Sequence, residues 1–153
     1  MLDKGKWLQY GEPRTHKIKG LTIHNTNNDM SAAEHETYMA TSNQHFATHY
    51  FVDDIEVRQV MPIEYAVWHT GKGYDLGNLS TIAIEICKST SDIDTYLKAQ
   101  NNAIKLIMDL MEKYSLNKDC IFFHNDFDNV YCPHRILDIY KSKNNFIEKE
   151  INL

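Results

Sequence analysis

The clearest patterning lies in four stretches where apolar and polar residues take turns. Residues 18–26, IKGLTIHNT, alternate with the period of a strand, Leu21 and Ile23 on one side and Thr22 and His24 on the other. Ser31-Ala-Ala-Glu34 has capping-box spacing and predicts a helix through about residue 43. THYFV and IEVRQV flank Asp53-Asp54 and predict a hairpin, its turn type left open because Asp-Asp is a weaker signal than Asp-Gly. LSTIAIEIC, 79–87, predicts a buried strand with Ile82, Ile84 and Ile86 on one face and Ala83, Glu85 and Cys87 on the other. From Thr95 to Tyr114 the spacing becomes helical, with Ala103, Ile107, Leu110 and Tyr114 in one stripe. CIFFH, 120–124, is a short apolar strand, and Pro133 suits the first turn of a helix over HRILDIYKS. A last amphipathic segment, NNFIEKEI, either packs on the body or frays. Strands interleaved with helices predict an α/β domain with one central mixed sheet flanked by helices.

Composition narrows the partners rather than the fold. At 153 residues, 42% hydrophobic and 24% charged, the chain matches one soluble domain without repeats or linkers. A formal charge of -5 argues against nucleic acid, and Lys4, Lys6, Lys17 and Lys19 read as a solvated face. No apolar run is long enough for membrane insertion, and MLDKGKWLQYGEPRTHK lacks the apolar region of a secretory signal. Three cysteines, Cys87, Cys120 and Cys132, make an odd count that speaks against a disulfide framework and leaves a thiolate free to bind metal.

Eight histidines are many for this length. His24 and His124 each sit where an apolar strand ends, and Cys132 follows in a loop closed by Pro133. Two imidazoles and a thiolate form a borderline-soft set that suits zinc, with a fourth position left for water. The spacing alone is weak, and each residue taken singly reads as a satisfied surface or core side chain. Glu85, between Ile84 and Ile86, is costly to bury without a partner. It is either half of a structural ion pair or a carboxylate facing a polar cleft, and the two readings stand level.

Six ordered segments carry a resemblance: IHNT (23–26), HYFVDD (49–54), AVWHTG (66–71), STIAIEI (80–86), FHND (123–126) and CPHR (132–135). Over about residues 18–140 the chain resembles the type 2 N-acetylmuramoyl-L-alanine amidases, which include phage endolysins, bacterial autolysins and peptidoglycan-recognition proteins. The resemblance implies a Zn2+ cleft on one face of the sheet, with His24, His124 and Cys132 as ligands and Glu85 as acid/base group. It further implies substrate contacts from Asn25, Thr26, Trp68, His69 and Arg135, and leaves His16, His35 and His45 as surface residues. Two positions depart from the pattern: Val130 stands where many members carry a lysine, and Thr48 where some carry a tyrosine.

The implied activity is hydrolysis of the bond between N-acetylmuramic acid and L-alanine in bacterial peptidoglycan. The alternatives are a non-catalytic peptidoglycan-binding module and a zinc peptidase acting within the stem peptide. A single amidase domain over 1–153 is expected, cut from a longer protein with a C-terminal wall-binding domain or complete in itself. Synthesis in the bacterial cytoplasm without a signal peptide, with action on the wall after release, goes with that expectation.

Overall fold

The computed structural model describes residues 1–151. In chain order its elements are α1 (Lys4–Tyr10), β1 (Gly11–Pro13), β2 (Gly20–Asn25), α2 (Ala32–Thr41), β3 (Tyr50–Val52), β4 (Val57–Gln59), β5 (Tyr65–Val67), α3 (Leu76–Ser80), β6 (Thr81–Ile86), α4 (Ile93–Tyr114), β7 (Ile121–Phe123), α5 (His134–Tyr140) and α6 (Lys143–Glu150). Five strands form a mixed sheet in the order β4-β3-β6-β2-β7, parallel except for the β3–β4 hairpin. Strands β1 and β5 pair antiparallel as a separate ribbon.

Strand alternation divides the core in two. Leu21, Ile23, Ile82, Ile84 and Ile86 pack against Tyr96, Ala99, Ala103 and Ile107 of α4 and against Ile136, Leu137 and Phe146 of the last two helices. On the opposite face Ala83, Cys87 and Phe51 pack with Tyr10, Ala32, Met39 and Val67. Both faces being covered, each residue of β2 and β6 is buried, as parallel strands require. The α/β architecture with a helix-flanked mixed sheet is therefore the one the patterning predicts.

Local signals explain most boundaries. The Ser31 hydroxyl accepts from the Glu34 amide while the Glu34 carboxylate accepts from the Ser31 amide, so α2 begins on a capping box. Two expectations shift. Residues 79 and 80 belong to α3 rather than to the strand, because the Asp75 carboxylate accepts from the Asn78 amide and caps that short helix. Pro133 stands one position before the first turn of α5. Of the two outcomes open for NNFIEKEI, the segment packs on the body, with Phe146 and Ile151 fully buried.

The N-terminal turn joins the fold through one cation. Arg14 donates to the carbonyls of Ile63 (2.8 Å), Leu79 (2.6 Å), Tyr65 (2.9 Å) and Thr81 (3.1 Å), tying its own segment to the stretches 63–65 and 79–81. His49 lies beside it, fully buried, accepting from the Ala83 amide at Nδ1 (2.9 Å) and donating from Nε2 to the Tyr65 carbonyl (2.9 Å). Burial, then the neighbouring Arg14, pulls the His49 pKa down to about 3, so the ring stays neutral as a structural clamp.

Candidate metal centre and cleft

The C-terminal ends of the parallel strands bring the titratable groups together. His24 on β2 stands directly opposite Glu85 on β6, and neighbouring strands are only about 4.8 Å apart. On the other flank Ile23 pairs with Phe123, so His124 follows at the point where β7 leaves the sheet beside His24. Ligand sites in open α/β sheets lie at this edge.

Cys132 reaches the same place from a loop, and two contacts hold it there. The Asn125 amide donates to the Cys132 carbonyl (3.1 Å). Helix α5 has no side-chain cap of its own at Pro133. Instead Asn25, the residue after His24, accepts from the amides of Arg135 (2.9 Å) and Ile136 (3.4 Å). Its Nδ2 donates to the Tyr96 hydroxyl (3.1 Å) and the Ile86 carbonyl (3.4 Å), so both ends of the Asn25 side chain are committed.

One donor atom from each of His24, His124 and Cys132 lies within 4.8 Å of the others. His24 Nδ1 is 3.9 Å from Cys132 Sγ and 3.9 Å from Glu85 Oε1. Behind it, His24 Nε2 is 2.9 Å from His69 Nδ1, and His69 Nε2 is 3.1 Å from the Gly77 carbonyl oxygen. His124 Nε2 and Glu85 Oε2 are buried without a hydrogen-bond partner.

Burial dominates the electrostatics. It holds His24 well below the ordinary imidazole range, with His124 adding to the effect, and it lowers His124 as well. It pushes Glu85 up to about 8. Cys132 rises to about 12 through burial and then the Glu85 charge, opposed by the Asn25 backbone N–H. The His24–Glu85 contact is consequently one between uncharged groups at neutral pH, not an ion pair.

A site that keeps two imidazoles neutral, leaves one nitrogen unpartnered and sets a thiol within 4.8 Å of both suits a cation that displaces protons. Soft sulfur with borderline nitrogen donors, three in number, fits Zn2+ with one position open. The structure thus brings His24, His124, Cys132 and Glu85 together.

These four residues form the floor of a cleft of about 430 Å³. Of the residues expected to touch substrate, Asn25 and Thr26 line it, and Trp68, His69 and Arg135 do not. Trp68 packs edge-on against Tyr74 (ring centroids 5.6 Å apart). His69 is fully buried behind His24. The Arg135 guanidinium turns onto the Tyr96 ring (5.5 Å) and donates to the Ser91 carbonyl (3.4 Å). No lysine or arginine lines the cleft among the described residues. Val130 sits on a partly exposed turn, and the Thr48 hydroxyl is spent on the Ala83 (3.0 Å) and Tyr50 (3.2 Å) carbonyls.

The opposite wall was not foreseen. Phe46 stands edge-on to His24 (6.4 Å), and Tyr38 and Met39 come from α2. His35 is buried rather than at the surface, because its ring stacks on Phe51 (4.7 Å, 14°) and its Nε2 meets Asn28 Oδ1 at 3.1 Å.

A family model described as N-acetylmuramoyl-L-alanine amidase matches residues 14–135. N-acetylmuramoyl-L-alanine amidase CwlA of Bacillus subtilis (strain 168) is 40% identical over 126 residues, which are 82% of this chain and 46% of that protein. XlyB of the same organism, also named N-acetylmuramoyl-L-alanine amidase, is 38% identical over 146 residues, 92% of this chain and 45% of its own. The chain therefore spans a little under half the length of the curated relatives it matches. Among solved structures, PlyL superposes with a TM-score of 0.90 at 36% identity, covering 99% of this chain and 94% of that one.

Proposed function

This chain belongs to the N-acetylmuramoyl-L-alanine amidase family, and from that premise we propose that it hydrolyses the amide between N-acetylmuramic acid and L-alanine in bacterial peptidoglycan. The observation that carries the proposal is the meeting of His24, His124, Cys132 and Glu85 on the floor of one cleft. In this reading His24, His124 and the Cys132 thiolate hold Zn2+. Bound there, the ion would supply Lewis acidity, making water more acidic and polarising the scissile carbonyl.

The chain's own residues do the rest. Glu85 is nearly enclosed, and burial raises its carboxyl to about 8 in the metal-free protein; a cation held by the neighbouring ligands would favour the carboxylate and leave it free to take a proton. It accepts a proton as water adds to the lactyl carbonyl, and returns one to the L-alanine nitrogen as the C–N bond breaks. Water is consumed, and a carboxylic acid and a free amine leave. Asn25 holds the Cys132 loop against β2 and keeps the thiolate in place. Phe46 and Met39 line the wall and limit the access of bulk water.

That no lysine or arginine lines the cleft among the described residues favours a second reading, a module that binds peptidoglycan without cutting it. Losing one oxyanion donor costs about 10²–10³ in rate, which slows a hydrolase without abolishing it. Turbidity loss of isolated walls, followed with chelator and after zinc is restored, separates the two readings. The amidase reading expects chelator-sensitive clearing that zinc restores. It also expects Glu85→Gln to keep zinc and wall binding while clearing falls by about 10²–10⁴. Stoichiometric zinc with wall binding and no clearing would establish the binding module, and near-normal clearing by Glu85→Gln would remove that residue from the chemistry.

A further inference from the structure

Why a fully buried histidine should stand behind His24 is not explained by hydrolysis or by packing alone. His69 has no exposed surface, and its position is over-determined. Its amide donates to Asn78 Oδ1 (2.8 Å), and the Thr70 amide donates to the same oxygen (3.0 Å). The far end of its ring meets the Gly77 carbonyl oxygen at 3.1 Å. That carbonyl is itself held in place, because it also accepts from the Thr81 amide and from the Thr81 hydroxyl at 2.6 Å.

Hydrogen-bond chemistry then fixes three protons in turn. A carbonyl oxygen only accepts, so His69 Nε2 must carry hydrogen. The Thr81 hydroxyl, 3.5 Å from the same nitrogen, gives its own proton to the Gly77 carbonyl at 2.6 Å and does not compete. A neutral imidazole with hydrogen on Nε2 has a lone pair on Nδ1. His69 Nδ1 therefore accepts, and the atom it accepts from is His24 Nε2, 2.9 Å away. With hydrogen on Nε2, His24 presents its lone pair at Nδ1, the nitrogen that faces Cys132 Sγ and Glu85 Oε1.

We propose that His69 is a positioning residue. It relays the fixed polarity of the Gly77 carbonyl to His24, locking the tautomer and ring angle in which Nδ1 is offered to the metal. This rests on the reading of His24 as a ligand. Partners of this kind orient a ligating imidazole and raise its basicity, and removing one costs about 10–100-fold in metal affinity. A histidine that only filled space would be replaceable by an apolar residue of similar size without effect on the metal.

The test compares the parent protein with His69→Ala, His69→Leu and His69→Asn. Zinc affinity is measured by competition with a chromophoric chelator, and the spectrum of bound cobalt is recorded. In the metal-free parent, the imidazole tautomers are read by nitrogen NMR. The expected results are hydrogen on Nε2 of both His24 and His69, and a loss of about 10–100-fold in zinc affinity for the alanine and leucine variants. Asn Oδ1 falls near the place of Nδ1 and keeps an acceptor for His24, so the asparagine variant should recover most of the affinity and the parent cobalt spectrum. Tight zinc binding by the parent, unchanged in the alanine and leucine variants, would overturn this proposal alone. So would hydrogen on His24 Nδ1 in the metal-free protein, a readout that needs no folded variant. Absence of zinc binding by the parent would overturn the metal reading and this proposal with it.

Discussion

Replacing Glu85 with glutamine should change how the metal-free protein responds to pH. The Glu85 carboxyl is 7% exposed, and burial raises its pKa from 4.5 to about 8. Between those values the folded protein keeps a proton that the unfolded chain has given up. The stabilising effect is complete below pH 4.5 and is lost as pH rises through 8. Each pH unit in the window removes about 1.4 kcal/mol of unfolding free energy. From pH 5 to pH 7 the loss attributable to Glu85 is therefore roughly 2–3 kcal/mol. Histidines act in the opposite sense. His24, His49 and His69 are held below 6.5 when folded, so their contribution is lost as pH falls below 6.5. They are present in both proteins, and the difference between parent and Glu85→Gln isolates the carboxyl. Urea unfolding at pH 5, 6 and 7 in the presence of chelator measures that difference. Glu85→Gln should gain on the parent at each step upward in pH, and zinc should shrink the parent's slope because a cation favours the carboxylate. Parallel pH profiles for the two metal-free proteins would refute the assignment of a buried, protonated Glu85.

Further outcomes follow from the same contacts. Arg14→Ala removes a donor from four carbonyls, of which Tyr65 retains His49 Nε2, and should cost about 2–4 kcal/mol in chemical denaturation; a change below about 0.5 kcal/mol would show that water replaces it. Asn25→Ala uncaps α5 and frees the Cys132 loop, so stability should fall by about 1–2 kcal/mol and zinc affinity with it, whereas an effect on stability alone would detach the cap from the metal site. With its pKa near 12, the Cys132 thiol is protonated in the metal-free protein. Zinc uptake by the parent should thus release about one proton more than uptake by Cys132→Ser, read by calorimetry in buffers of different ionisation enthalpy. Equal release by both would exclude a thiolate ligand.

Much of the site was legible because strand alternation assigns faces directly. Once Leu21 and Ile23 point to the α4 side, His24 must point the other way, and the same holds for Glu85 between Ile84 and Ile86. What stayed hidden depends on contacts between distant segments. Helix α1 looked like a lysine-rich solvated face, yet Trp7 packs edge-on against Tyr65 (5.3 Å) and the Tyr10 hydroxyl donates to the Met39 carbonyl. Seven residues carry too little periodicity to announce such a helix. Phe46 lies in the stretch between α2 and β3, which has no regular structure, so no pattern pointed it at His24. Nothing in the residues flanking His69 or His35 announces their burial, and only the fold supplies the Gly77 carbonyl and the Phe51 ring that they meet. Asn25 was placed beside the cleft, but its capping of a helix 110 positions away has no local signature.

The central claim is the identity of the bond that is cut. Isolated bacterial walls should be digested with the purified protein, with and without chelator, and the newly exposed amino-terminal residue identified. New L-alanine amino groups that disappear with the chelator are the predicted result. A different amino-terminal residue, or no new terminus from a range of wall types with zinc present, would contradict the account.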